Sequence, residues 1–195
     1  MKDETRVKSE RIHSGRVINL DVDTVRFPDG SMGELEIVRH PGASAVVPFL
    51  SDPAAADPQV LLIKQYRYAA DGFLYEIPAG RLNPGEAPAD CARRELAEET
   101  GCSAAQLTFL TSTYTTPGFS DERIHLFLAT GLTRGDARRE RDEFMEVTTL
   151  PLSRALAMVE RGEICDAKTA LGLLYAAGFR ASLEKEQAAG TKRGR

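Results

Sequence analysis

Strands on both sides of one central helix, followed by two more helices, predict a mixed α/β sandwich. Three observations carry that reading. Short runs alternate apolar and polar residues both before and after the middle of the chain. One helical stretch is framed by Pro88 and Gly101. Residues 153–178 carry apolar side chains at helical rather than strand spacing.

The elements follow in order. Residues 1–10 are polar and read as loose. Ile18, Leu20 and Val22 alternate with Asn19, Asp21 and Asp23, as in a half-buried strand. Phe27-Pro28-Asp29-Gly30 is a turn, and Glu34 to Val38 alternates again, so this part reads as a small N-terminal β-sheet. Ala45 to Leu50 reads as a buried strand, and Ser51 to Pro58 as a surface loop. Val60 to Tyr66 and Phe73 to Ile77 are strands. Pro88 suits a first helical turn, where its missing N–H costs nothing, and Gly101 suits the residue past a helix end. Leu107 to Tyr114 and Arg123 to Thr130 are strands joined by the loop Thr115 to Glu122. Residues 131–142 are charged and read as a loop, and Phe144 to Leu150 as a last strand. Ser153 and Asp166 are expected to cap the two closing helices. Gly172 and Gly178 each cost a helix about 1 kcal/mol against alanine, so close packing is expected at both. Residues 188–195 form a basic, disordered-looking tail.

The chain has 195 residues, 42% apolar and 28% charged, within the range of an ordinary globular domain. A net charge of −4 disfavours a nucleic-acid backbone as partner. No apolar run approaches a membrane span, and MKDETRVKSE has no apolar signal core. Cys91, Cys102 and Cys165 are odd in number and widely spaced, which points to a reducing, cytoplasmic compartment and away from disulfides or zinc.

The stretch from Gly80 to Cys102 carries the chemistry. On a helix, Glu95, Glu98 and Glu99 share one face, and Glu86 can reach the same end. Like charges at that spacing repel by a few tenths of a kcal/mol per pair, roughly. Arg94 lies one turn before Glu98 and offsets part of this. A hard divalent cation, which takes carboxylate and carbonyl oxygens, offsets the rest and suits metal-assisted phosphoryl chemistry. Gly80, Glu86, Arg94, Glu95, Leu96, Glu98, Glu99 and Gly101 fill every fixed position of a pattern that resembles the Nudix box. Cys102 is the one mild departure, standing where a larger aliphatic residue is usual.

The resemblance implies an α/β/α sandwich with a mixed sheet, and Mg²⁺-dependent hydrolysis of a nucleoside diphosphate linked to another group. It implies Glu95, Glu98 and Glu99 as metal ligands with the Ala79 carbonyl, Glu86 as a holder of metal-bound water, and Arg94 as the residue that orients the carboxylates. About two or three Mg²⁺ ions per site, or Mn²⁺ or another divalent ion, would neutralise the diphosphate and lower the pKa of a bound water. Glu143, in the acidic run Glu140 to Glu143, is the expected base.

Pro117-Gly118-Phe119, sixteen residues after Gly101, resembles the bacterial ADP-ribose pyrophosphatase branch. Arg16 to Leu20, Gln65 to Arg67 and Glu76 to Gly80 resemble it too. On this resemblance Arg67 contacts phosphate, Arg16 and Val17 contact adenine from a swapped N-terminal sheet of a homodimer partner, and Phe119 and Glu122 belong to the substrate loop. The expected products are AMP and ribose 5-phosphate. Residues 1–42 are then a sheet region open to exchange, 43–187 the hydrolase domain and 188–195 the tail. The rivals are hydrolysis of GDP-mannose, another nucleotide sugar or a diadenosine polyphosphate, and a non-catalytic ADP-ribose sensor. Sensors tend to lose box carboxylates, and all three are present here.

Overall fold

A computed structural model describes residues 5–135 and 145–179. The order is β1 (Arg6–Ser14), β2 (Asn19–Arg26), β3 (Met32–Arg39), β4 (Ala43–Pro48), β5 (Gln59–Arg67), β6 (Gly72–Glu76), β7 (Ala79–Arg81), α1 (Pro88–Thr100), β8 (Cys102–Tyr114), β9 (Arg123–Arg134), β10 (Met145–Pro151) and α2 (Leu152–Glu160). Residues 167–179 form a further helix, α3.

The strands make three sheets, ordered β1-β2-β3, β10-β5-β6 and β7-β4-β9-β8. The third is mixed: β4 runs parallel to β9 and antiparallel to β7. Its period-2 alternation sorts side chains to two faces. Ala45, Val47, Leu126 and Leu128 enter one core with Leu152, Ala155 and Leu173 of α2 and α3. Val46, Phe127 and Ala129 enter a second core with Ala92 and Leu96 of α1. Every residue of β4 is buried, as expected for a strand covered on both sides. This is the expected α/β/α sandwich, with helices on either face of a mixed sheet and a separate N-terminal sheet.

Local expectations change at several places, and β9 runs on to Arg134, into residues read as a loop. Residues 6–14 are a strand and not loose chain, because backbone pairing with β2 holds a segment whose every side chain is exposed. In β2 the aspartates face inward: Asp21 and Asp23 are 5% and 4% exposed, while Ile18 is 40% exposed. Arg39 reaches both aspartates and Arg11 reaches Asp21, so the buried charges are paired. Ser153 does not cap α2. Asp57, far away in sequence, accepts hydrogen bonds from the Ser153 N–H (3.1 Å) and hydroxyl (2.7 Å) instead. Gly172 is close-packed, since a Cβ there would sit 3.0 Å from both Ile77 and Val47, but around Gly178 there is open space.

Candidate active site

The loop from Leu82 to Ala87 and the first turn of α1 place the acidic face. Gly85 lies at φ +77°, a left-handed conformation that glycine adopts freely, and turns the chain toward α1. Pro88 opens the helix, and Gly101, at φ +72°, closes it by donating its N–H to the Ala97 carbonyl. The packed side of α1 holds Cys91, Ala92 and Leu96, which fixes the rotation of the helix and aims the glutamates at β7.

Arg94 gathers the carboxylates. Its Nε and Nη2 donate to the two oxygens of Glu86 at 2.8 and 2.9 Å. Its Nη1 donates to Glu95 Oε1 at 2.6 Å and Glu98 Oε2 at 3.0 Å, and Nη2 also reaches the Arg81 carbonyl at 3.0 Å. The fork to Glu86 is the paired geometry at which guanidinium excels. Hydrogen bonds from Arg94, helped by the Asn83 N–H, hold the Glu86 carboxyl down to about 2, and the same contacts raise the Arg94 pKa. Arg94→Lys keeps one charge but loses the fork. It is expected to lower kcat by about ten- to a hundredfold, the usual cost of disturbing groups that orient ligands, with the far-ultraviolet circular dichroism unchanged.

Glu99 is set apart from this cluster. It is 2% exposed and accepts the Ala79 N–H at 3.0 Å. Ala79 opens β7, which pairs with β4 at Ala45. Gly80 is needed next to it, because a Cβ there would lie 1.8 Å from Glu95 Oε1. The clashing atom ends a flexible side chain, so Gly80→Ala should displace the Glu95 carboxylate more than it unfolds the protein. We expect the variant to lose most of its turnover while its urea midpoint shifts little; a normal kcat would show that Glu95 does not need this position.

The remaining predicted residues that the structure describes sit on other elements. Arg67, at the end of β5, donates Nε and Nη2 to the two oxygens of Glu76 at 2.6 and 2.8 Å. Arg16 and Val17 are exposed in the β1–β2 turn, and the Arg16 carbonyl accepts from Arg81 Nη1 at 3.3 Å. Pro117, Gly118 and Phe119 are exposed in the β8–β9 loop, Phe119 by 55%, so it is a surface residue and no part of the core. Glu122 accepts from Thr115 at 2.8 Å and stands 3.3 Å from His40 Nδ1. The loop is fastened to β3: Val38 N–H donates to the Phe119 carbonyl at 2.7 Å, and Arg39 Nη1 reaches Asp121 at 3.3 Å. Glu143, with Glu140 and Asp142, lies outside the described residues, while Glu146 is exposed on β10.

The pairing of Glu76 with Lys168 was not readable from the sequence. Lys168 Nζ donates to Glu76 Oε2 at 2.5 Å across 92 positions of sequence. The segment from Glu76 to Gly80 stood out in the sequence, but nothing in it points to Lys168.

Three carboxylates and the Ala79 carbonyl are hard oxygen donors of the kind Mg²⁺ takes. Gly80 leaves room for one of them that a side chain would fill. Among the described residues no three acidic, histidine or cysteine side chains are grouped to hold a metal ion as they stand. The countercharge within the cluster is Arg94.

An acidic helix facing a short strand, on an α/β/α sandwich, defines a hydrolase-type carboxylate site. The NUDIX domain model matches residues 39–169, and the chain belongs to that family. It is 43% identical to an ADP-ribose pyrophosphatase of Bacillus subtilis (strain 168) over 175 residues, 89% of this chain and 92% of that protein. It is 41% identical to a methanol dehydrogenase activator of Bacillus methanolicus over the same shares. It is 37% identical to an ADP-ribose pyrophosphatase of Mycobacterium tuberculosis (strain ATCC 25618 / H37Rv), over 86% of this chain and 80% of that protein. A solved structure described as an ADP compounds hydrolase superposes with a TM-score of 0.77 at 21% identity, over 92% of this chain and 95% of that one, and speaks for the fold. Hydrolases of this family generally need divalent cations. Among the described residues no helix is long and apolar enough to cross a membrane.

Proposed function

We propose that this chain hydrolyses the diphosphate of ADP-ribose to AMP and ribose 5-phosphate. The observation that carries the reading is the intact set of Glu95, Glu98 and Glu99, gathered by Arg94 and the Ala79 N–H. The names of the Bacillus subtilis and Mycobacterium relatives support the substrate.

Glu95, Glu98, Glu99 and the Ala79 carbonyl would hold the cation, Mg²⁺ by preference, with Glu86 beside them. Bound there, it would supply charge neutralisation at the diphosphate and a water of lowered pKa. Arg94 keeps Glu86, Glu95 and Glu98 pre-oriented, so little rearrangement is left to the moment of reaction. A cation on Glu95 or Glu98 would share the carboxylate with Arg94, which holds one oxygen of each. Arg67 binds a phosphate with the guanidinium edge that Glu76 leaves open. Glu143 accepts the proton of the attacking water, an assignment that rests on family resemblance. Phe119 and Glu122, on a loop pinned to β3, border the ribose.

Arg16 and Val17 reach adenine in the partner of a homodimer. Support comes from the N-terminal sheet, where Val7, Ile12 and Met32 are 56%, 55% and 47% exposed. The compartment is cytoplasmic, in keeping with three free cysteines.

The substrate is tested by giving the pure protein ADP-ribose, GDP-mannose, other nucleotide sugars and diadenosine polyphosphates under identical Mg²⁺, and comparing kcat/KM. Preference for ADP-ribose supports the reading. Preference for another member keeps the box chemistry and overturns the assignment of the Pro117 loop. Tight ADP-ribose binding without cleavage of any compound favours a sensor.

A further inference from the structure

Glu76 is the most enclosed charged side chain among the described residues, 1% exposed, yet it lies outside the box. A carboxylate so buried stays ionised only with partners. It has two cations. Arg67 grips both its oxygens through Nε and Nη2, and Lys168 Nζ adds a bond to Oε2 at 2.5 Å. Lys168 is itself 13% exposed and stands 3.1 Å from Asp166 Oδ1. The other Asp166 oxygen is spent on the start of α3, where it accepts from the N–H and hydroxyl of Thr169. The Thr169 hydroxyl oxygen in turn accepts the Ile77 N–H at 2.9 Å. The network therefore ties the first turn of α3 to the residues that lead from β6 into Ala79.

Arg67 is the one member with an open edge. Its side chain is 41% exposed, and its Nη1 makes no hydrogen bond among the described residues. One arginine would suffice to neutralise Glu76. The second cation is itself paired with Asp166, so Glu76, Asp166, Arg67 and Lys168 together carry no net charge, and what Lys168 adds is a second anchor on the Glu76 carboxylate. Without Lys168 the Glu76 carboxylate is held by Arg67 alone.

We propose that Lys168 is a positioning residue for the substrate diphosphate, acting through Glu76 to hold Arg67 oriented with its open edge free for a phosphate. The inference rests on Arg67 as a phosphate contact. Glu76 raises the Arg67 pKa most, burial lowers it, and Glu99 and Asp166 raise it further.

A simple strut between α3 and β6 would show the same bonds, so the test must separate the two. KM and kcat for ADP-ribose are measured in Mg²⁺ for wild type, K168M, K168R, R67A and the R67A/K168M double variant, well below their melting temperatures. Binding of ADP is followed by calorimetry with chelator present, which needs neither metal nor turnover. K168M is expected to raise KM and the ADP Kd about tenfold, with kcat changed less than about threefold, by analogy with other residues that orient a binding group. K168R should restore both, and K168M should add nothing in the R67A background, because a residue acting through Arg67 is non-additive with it. A K168M protein with unchanged KM and ADP Kd, whatever its melting temperature, overturns the proposal. A wild-type protein that binds ADP but leaves ADP-ribose intact overturns the substrate reading alone, and the ADP Kd of K168M then decides the clamp.

Discussion

Glu99→Gln lowers kcat for ADP-ribose by about a hundredfold or more, beyond the tenfold to hundredfold usual for groups that merely orient ligands. The reason is charge and not shape. Glu99 is 2% exposed and accepts the Ala79 N–H at 3.0 Å. Glutamine retains an oxygen for that bond, so β7 stays where it is and the fold survives. What disappears is the negative charge facing the proposed cation, which an amide binds far more weakly. The melting temperature is therefore expected to stay within a few degrees of wild type, and adding Mg²⁺ should raise it less than in wild type, since a ligand stabilises only the state that binds it. Near-normal turnover of the variant would remove Glu99 from the metal site.

Glu76→Gln has the largest expected effect on stability. It leaves Arg67 and the mostly buried Lys168 facing a neutral amide at a site that is itself enclosed. Removing one partner of a buried ion pair costs about 3 kcal/mol. At about 2–4 °C per kcal/mol for a chain of this size, that is a melting temperature lower by roughly 6–12 °C. The pH dependence has a definite sign. Burial pushes the Glu76 carboxyl up, but Arg67 and Lys168 outweigh it and hold it below the usual range. A carboxyl depressed in the folded state adds stability above its unfolded pKa, about 4.3, and loses it as pH falls through the folded value. The gap between wild type and variant should be full at pH 7 and shrink below about pH 4. Urea midpoints across that range check it; a gap that widens on acidification would contradict the pairing.

The sequence made the box helix legible because its boundaries are set by local chemistry. Pro88 and Gly101 act within one turn of themselves, and α1 begins and ends at those residues. The convergence of Glu95, Glu98 and Glu99 on one face is likewise helical geometry. What was not legible depends on distant partners. The strand β1 has exposed side chains throughout and no apolar alternation, so its only cause is pairing with β2. The inward aspartates of β2 invert the expected phase because Arg39, sixteen or more residues on, and Arg11 of β1 together neutralise them. The cap of α2 comes from Asp57, and the second cation on Glu76 comes from the start of α3. No local pattern encodes a contact across more than ninety residues. Ala79 was placed only by resemblance; its N–H on Glu99 is a consequence of β7 pairing with β4.

The most direct measurement follows ADP-ribose with the purified protein in Mg²⁺ and, in parallel, in excess chelator, with products separated by chromatography. The account predicts stoichiometric AMP and ribose 5-phosphate with Mg²⁺ and intact ADP-ribose with chelator. ADP-ribose left intact in Mg²⁺, or cleaved equally well in chelator, would contradict it.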